Sequence, residues 1–214
     1  MVDDEGKNMP LFIGIAGGTS SGKTTLSHAL KRELGDFSIQ IICQDNYYYC
    51  RRNMYPEERS KINYDHPSAI DFAFLKEHIS LLRKGESIQG PLYDFKTHTR
   101  KTSSYWIKPS ALIIIEGTLI LWDEEIRNQF HYKTFLDIPE DIRLLRRIDR
   151  DIQERARTYP EVKKQYLDTV RPMHIKYVEP CKTYADIIIE HEVYLLQVNE
   201  MIKSIKNKLS GVSV

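Results

Sequence analysis

The stretch Gly17-Gly18-Thr19-Ser20-Ser21-Gly22-Lys23-Thr24 fits the pattern Gly-x-x-x-x-Gly-Lys-Thr. The apolar run Leu11–Ala16 precedes it and predicts a buried strand, and the segment Thr25–Leu34 follows it and predicts a helix. A strand, this glycine-rich loop and a helix form the phosphate-binding P-loop. We therefore expect these eight residues, together with Thr25, to bind the phosphates of a nucleotide.

The chemistry of this loop follows from its residue types. Glycines allow a tight turn around an anion, and the backbone N–H groups and the helix N-terminus attract negative charge. Lys23 is expected to act in catalysis on the β- and γ-phosphates, and the Thr24 hydroxyl is expected to bind Mg²⁺. A glycine-rich turn without a ligand is the alternative, but it would not require the flanking strand and helix.

Composition bounds the remaining possibilities. A chain of 214 residues suits a single domain (1–214), and 31 Lys+Arg against 30 Asp+Glu without a charged tail does not favour a nucleic-acid partner. The polar start Met1–Lys7 does not suit a secretory signal, and the apolar stretch Leu112–Trp122 is too short to cross a membrane. The cysteines lack zinc-site spacing and are expected to be inert thiols in a reducing cytoplasm, with Cys43 in a strand core.

Short apolar runs alternate with helical patterns along the rest of the chain. Further buried strands are predicted at 38–43, 111–115, 133–138 and 185–189. Helices are predicted at about 69–84 with Ser68 as the cap, at 124–129, from Pro139, at 161–177 and at 193–209. This alternation predicts an α/β P-loop NTPase fold, with a five-stranded, mainly parallel sheet covered by helices on both faces. Residues 87–109 break the pattern and predict a β-hairpin excursion.

Two carboxylates follow predicted strands, Asp45 after the second and Glu116 after the third. In open α/β sheets, ligands bind beyond the carboxyl ends of the strands. With Thr24, these acids are expected to hold Mg²⁺, and one of them could accept the proton of an attacking hydroxyl. A solvated strand-end acid is the alternative, which suits Asp45 better than Glu116 because an unused acid after five buried residues is costly.

The helix predicted after Pro139 and the residues just beyond it are rich in arginine. The arginines are Arg143, Arg146, Arg147, Arg150, Arg155 and Arg157. They could form a lid that neutralises charge on a transferred phosphoryl group. They could equally form a solvated face paired with the acids Asp141, Asp149, Asp151 and Glu154.

These features favour a small-molecule kinase over a signalling GTPase, because no Asn-Lys-x-Asp motif follows the P-loop. Aromatic residues accompany the polar loops and could line a cavity for a ring-shaped substrate. They are Tyr47, Tyr48, Tyr64, Tyr93 and Phe95. Ordinary core packing is the alternative for each of them.

Five strings, in this order, resemble the uridine kinase (uridine–cytidine kinase) family. They are Gln44-Asp45-Asn46-Tyr47-Tyr48, Asn63-Tyr64-Asp65-His66-Pro67, Tyr93-Asp94-Phe95 with His98 and Arg100, Ile115-Glu116-Gly117, and Arg146-Arg147 with the run 150–155. The likeness extends from about Phe12 to Ile189. It implies a kinase that moves the γ-phosphoryl of ATP or GTP to the 5′-hydroxyl of uridine or cytidine in pyrimidine salvage, with Mg²⁺.

The resemblance also implies roles for individual residues. Asp45 would be the catalytic base, and Thr24, Asp45 and Glu116 would surround Mg²⁺. Ribose would be bound by Asp65 and Arg147, and the base edge by Tyr93 and His98. The remaining implied contacts are Tyr48, Tyr64 and Phe95 as pocket walls, Gln165 and Arg157 on the nucleoside, and Arg150, Arg155 and Arg157 on phosphates and in a lid at about 146–165. The family also implies a cytoplasmic homo-oligomer, commonly a tetramer.

The chain departs from the family pattern at two places. Ala156 stands where the family usually has glycine, which matters only if that residue takes a positive φ. Glu190-His191-Glu192 replaces Arg-Gly-Gly after the last strand, near the expected nucleotide base. A kinase for another acceptor, such as nicotinamide riboside or a sugar phosphate, and a non-catalytic nucleotide-binding homologue are the competing interpretations.

Overall fold

The structure, a computed structural model, describes residues 9–59 and 61–211. The acidic start at residues 1–7, which the sequence does not favour as a secretory signal, lies outside them. The described residues form seven strands: β1 (Leu11–Gly17), β2 (Ile39–Cys43), β3 (Ile88–Asp94), β4 (Thr99–Ile107), β5 (Leu112–Glu116), β6 (Tyr132–Asp137) and β7 (Ile187–Glu190).

The helices alternate with these strands. They are α1 (Lys23–Glu33), α2 (Pro56–Arg59), α3 (Phe72–Arg83), α4 (Glu124–Arg127), α5 (Glu140–Arg155), α6 (Tyr159–Gln165), α7 (Arg171–Met173) and α8 (Tyr194–Leu209). Short 3₁₀ segments occupy Gln44–Tyr47, Pro67–Ala69 and Glu179–Tyr184, and π-helical turns occupy Tyr166–Val170 and His174–Val178. Within the described residues, no helix has both the length and the apolar content that a membrane span requires.

The main sheet has the strand order β2-β5-β1-β6-β7, and every pairing in it is parallel. Strands buried on both faces need helices on both sides. On one face α1 contributes Leu26 and Leu30, and Leu34 follows directly after it; these residues share a core with α8. On the other face α3 contributes a core stripe that includes Leu75 and Ile79. The predicted fold class, a mainly parallel sheet covered on both faces, is confirmed.

The strands β3 and β4 pair antiparallel in a two-stranded sheet of their own. They fall within the segment 87–109, where alternation and turn residues predict a hairpin. A register irregularity lies between Pro91 and Tyr93, and Tyr93 pairs opposite Arg100. The hairpin contacts the 3₁₀ segment that follows β2, so it stands beside the carboxyl edge of the main sheet.

Two local expectations were wrong. Ser68 does not cap α3, because the helix begins at Phe72 and the Asp71 side chain accepts the N–H of Phe74 instead. Cys43 is not a strand-core residue, because it is only half-buried and faces a cleft. The helix predicted at 161–177 is confirmed, and two π-helical turns lie within it, each of which admits one extra residue per turn.

Candidate active site

A cleft of about 1050 Å³ lies beyond the carboxyl ends of β1, β2 and β5. It brings together nearly all the residues expected at the site. From the P-loop and the strand ends its walls include Thr19, Ser20, Ser21, Gly22, Lys23, Thr24, Thr25, Asp45 and Glu116. From elsewhere they include Tyr48, Tyr64, Asp65, Tyr93, Phe95, His98, Arg147, Arg150, Arg155, Arg157 and Gln165. Gly17 and Gly18 shape the loop from behind these walls.

The P-loop contains buried polar side-chain atoms whose hydrogen-bonding capacity is not fully used. Lys23 is buried, and its Nζ donates to the carbonyls of Gly17 and Gly18 at 3.0 and 2.9 Å. Among the residues that the structure describes, the buried hydroxyls of Ser20 and Ser21 find no hydrogen-bond partner. Burial lowers the pKa of Lys23, while the Glu116 carboxylate opposes that shift. A bound phosphate would accept hydrogen bonds from these hydroxyls and would neutralise the buried ammonium group of Lys23.

Thr24 and Glu116, two of the residues expected around Mg²⁺, lie together beside the P-loop. The Thr24 hydroxyl donates to Oε1 of Glu116 at 2.9 Å. Burial raises the pKa of Glu116 and Asp45 adds to that rise, whereas Lys23 opposes it. In the part of the chain that the structure describes, no three His, Cys, Asp or Glu side chains converge as a metal cage. Mg²⁺ usually takes one or two carboxylates together with substrate phosphates and waters, so this donor set fits it.

An aromatic pocket, formed by Tyr48, Tyr64, Tyr93, Phe95 and His98, lines another part of the cleft. The rings of Tyr64 and His98 stack with centroids 4.5 Å apart and planes 12° apart. Tyr93 packs against Tyr48 and Phe95, and its buried hydroxyl interacts with the Tyr64 hydroxyl. Burial, reinforced by the charge of Arg157, lowers the pKa of His98, which keeps the imidazole neutral at pH 7.

Asp65 and Arg147 reach the cleft from different elements. Oδ2 of Asp65 accepts from the Thr169 hydroxyl at 3.1 Å, and burial raises the Asp65 pKa against the opposing charge of Arg147. Arg147 donates to the Thr19 hydroxyl at 2.8 Å and to Oε1 of Gln165 at 2.9 Å. Arg147 therefore links the P-loop to Gln165, which is expected to contact the nucleoside.

Four arginines converge on one carboxylate, Asp151, which has 0% of its surface exposed. Arg150 donates to it at 2.8 Å and Arg157 at 3.2 Å, while Arg147 and Arg155 lie 3.5 Å away. Burial acts to raise the Asp151 pKa, but the arginines outweigh it and lower the pKa. A solvated face is therefore excluded for Arg147 and Asp151.

The chain reverses direction at Ala156, directly after α5. Ala156 adopts the left-handed conformation, with φ 55° and ψ 35°, and its N–H and that of Arg157 both donate to the Asp151 carbonyl. This reversal turns Arg157 back toward the Asp151 side chain. Alanine in the left-handed region is strained, so the departure from the family's glycine has a structural consequence.

Several contributors were missed from the sequence. Asp151 and Asn46 stood in the strings that resemble the family but were given no role there, Asp151 was otherwise considered a surface acid, and Thr169 carried no signal of its own. Arg143 lies behind the P-loop, where a Cβ added at Gly18 would meet its Nη1 at 2.3 Å. His191 also lines the cleft, as the loop after β7 was expected to do. The four-residue spacing of Arg143, Arg147 and Asp151 on α5 was the one pattern that could have indicated a shared buried face.

A P-loop, strand-end acids and an arginine cluster around one cleft define the class of P-loop kinases. The chain matches the phosphoribulokinase / uridine kinase family over residues 12–194, and it belongs to that family.

Similar proteins agree with this assignment. A protein of Brevibacillus brevis named uridine kinase is 48% identical over 185 residues, which cover 86% of each chain. One of Clostridium novyi with the same name is 46% identical over 202 residues, which cover 94% of this chain and 97% of the other. Phosphoribulokinase from Rhodobacter spheroides has a similar fold, with a TM-score of 0.64, 16% identity and coverage of 86% of this chain and 71% of the other.

Proposed function

We propose that this protein is a uridine–cytidine kinase, which transfers the γ-phosphoryl group of ATP or GTP to the 5′-hydroxyl of uridine or cytidine. The observation that carries the proposal is the aromatic pocket, which shares one cleft with the P-loop and presents the buried Tyr93 hydroxyl and the neutral His98 imidazole. Relatives that are named uridine kinase and are 46–48% identical over most of the chain support it.

The residues of the P-loop and the acids beside it each have a role in phosphoryl transfer. Lys23 leaves the loop carbonyls and neutralises the β- and γ-phosphates, and the Ser20 and Ser21 hydroxyls gain phosphate partners. Asp45 accepts the proton of the attacking 5′-hydroxyl. Thr24, Asp45 and Glu116 would hold Mg²⁺, which would supply further neutralisation of phosphate charge.

The aromatic pocket accounts for the choice of nucleoside. Uracil offers an acceptor oxygen at the position where cytosine offers an amino donor. A neutral imidazole donates from one ring nitrogen and accepts at the other, so His98 serves both bases. The stacked walls limit ring size and disfavour purines. Asp65 and Arg147 bind the ribose hydroxyls, and a deoxyribose would leave them unpaired.

The arginines of 146–165 complete the site as a lid over the phosphates. Asp151 keeps them together before nucleotide binds, and their combined charge stabilises the transferred group. Arg155→Ala is expected to lower kcat, and nucleotide plus nucleoside is expected to protect this segment from hydrogen exchange. Equal hydrogen exchange with and without ligands would contradict the lid.

By family analogy we also propose that the protein is a cytoplasmic homo-oligomer, a tetramer. Light scattering would test the oligomeric state.

The deciding experiment measures ADP formation from ATP and Mg²⁺ with a panel of acceptors. Uridine and cytidine should have the highest kcat/KM, followed by deoxycytidine, with adenosine and nicotinamide riboside far below. Faster turnover of adenosine or nicotinamide riboside would assign another acceptor. Nucleotide binding without turnover of any acceptor would indicate a non-catalytic homologue.

A further inference from the structure

The 3₁₀ segment Gln44–Tyr47, which carries Asp45, is attached to both strands of the hairpin. From β3, the Tyr93 N–H donates to Oδ1 of Asn46 at 3.0 Å. From β4, Arg100 donates from Nε to the Tyr48 carbonyl at 2.9 Å and from Nη2 to the Tyr47 carbonyl at 3.1 Å. The segment with the expected catalytic base is thus tied to a structure outside the main sheet.

The Arg100 side chain is held firmly in this position. Its Nη2 also bonds Oδ2 of Asp71 at 3.0 Å, and its guanidinium lies 5.0 Å from the centroid of the Phe74 ring. Asp71 in turn donates its N–H to the Tyr47 carbonyl at 2.9 Å. A planar guanidinium with several fixed donors can bridge two carbonyls and a carboxylate at once, which a lysine cannot do.

The same hairpin carries the residues expected to recognise the base. Tyr93 stands directly opposite Arg100 in the strand register, and His98 lies in the turn between the strands with φ 54°. The Tyr93 side chain therefore faces the expected nucleoside site, and the Tyr93 backbone N–H binds Asn46. Any displacement of the hairpin on nucleoside binding is transmitted to the segment that carries Asp45.

We propose that Arg100 and Asn46 are positioning residues that couple base recognition on the hairpin to the placement of Asp45. Arg100 lies outside the walls of the cleft, so it acts through Asp45 and not on the substrate, whereas Asn46 lines the cleft and also holds the Tyr93 backbone. The inference rests on the proposed function, in which Asp45 is the base and the hairpin binds the pyrimidine.

The first test is the replacement Arg100→Gln in the full chain. The value of kcat with uridine should fall about tenfold to a hundredfold, because a small misplacement of a catalytic group is costly. The Kd for ADP should stay within about twofold, since the contacts of Arg100 described above do not involve the P-loop. Arg100→Lys should recover only part of the loss. Lys101→Gln, an exposed neighbour on β4, is the matched control and should retain wild-type kcat.

A double-mutant cycle separates coupling from a purely structural role. If the hairpin acts on Asp45 through Arg100, His98→Ala should lower kcat much less in the Arg100→Gln background than in the wild type. Asn46→Ala, which removes the acceptor for Tyr93, should behave like Arg100→Gln and serves if that variant does not fold. Additive effects would overturn the proposal, as would wild-type kcat in Arg100→Gln or a loss of ADP binding in proportion to kcat. Failure of the wild type to phosphorylate either pyrimidine would instead overturn the proposed function.

Discussion

The P-loop and the aromatic pocket share one cleft but are assembled in different ways. The P-loop draws its groups from one run of eight residues, and its geometry follows from local backbone turns at Ser20 and Gly22. The aromatic pocket gathers side chains from Tyr48 to His98, which three separate segments bring together. A contiguous motif therefore indicates the phosphate chemistry, whereas the nucleoside chemistry depends on how distant segments pack.

The largest effect is expected at the P-loop. Lys23→Ala should lower kcat by at least about a thousandfold, because it removes the buried cation of the loop. The cooperative melting transition should persist. Lys31→Ala, on the exposed side of the same helix, should retain full activity. Substantial turnover by a folded Lys23→Ala protein would show that the P-loop does not take part in phosphoryl transfer.

The next largest effect on kcat is expected from the replacement of Asp45, which lies between the P-loop and the aromatic pocket. Asp45→Asn keeps the shape of the side chain but does not accept the proton of the 5′-hydroxyl. We expect kcat to fall by about a hundredfold or more, while KM for uridine changes much less. Steady-state kinetics at saturating ATP measure both quantities. A change in KM alone would make Asp45 a binding residue and place the base elsewhere.

A smaller effect is expected from the protonation of His98 in the aromatic pocket. Its lowered pKa means that the neutral imidazole persists below pH 6.5. The kcat/KM for uridine should therefore be flat above pH 6.5 and fall about tenfold for each pH unit below the lowered pKa. Glu116 and Asp65 also titrate at acidic pH. The pH profile of kcat/KM for the wild type is therefore compared with that of His98→Asn. Identical acid limbs in both proteins would assign the titration to another group.

The smallest effect is on stability, at the chain reversal after the arginine helix. Ala156→Gly should stabilise the protein by about 0.5–1 kcal/mol, because glycine adopts the left-handed conformation without the steric cost of Cβ. For a chain of this size, that corresponds to a rise in Tm of about 1–4 °C. Ala73→Gly, in the first turn of α3, should have the opposite sign and destabilise by less than the roughly 1 kcal/mol of a helix-interior site. A lower Tm for Ala156→Gly would show that the strain is relieved elsewhere.

The sequence by itself determined the fold class and most of the site. The P-loop pattern, the apolar strand runs and the acids at strand ends depend on local periodicity, and parallel strands place their carboxyl ends along one edge. The family resemblance supplied the pyrimidine substrate, because no spacing rule distinguishes one ring-shaped ligand from another.

Only the tertiary structure decided the arrangements that rest on contacts between distant residues. The convergence of four arginines on Asp151 needs both the buried face of α5 and the reversal at Ala156, and neither follows from composition. The attachment of the Asp45 segment through Arg100 joins residues more than fifty positions apart. The exposure of Cys43 was likewise set by the cleft that opens where β2 ends. Local sequence specifies backbone conformation, but burial and ionic partners are properties of the packed chain.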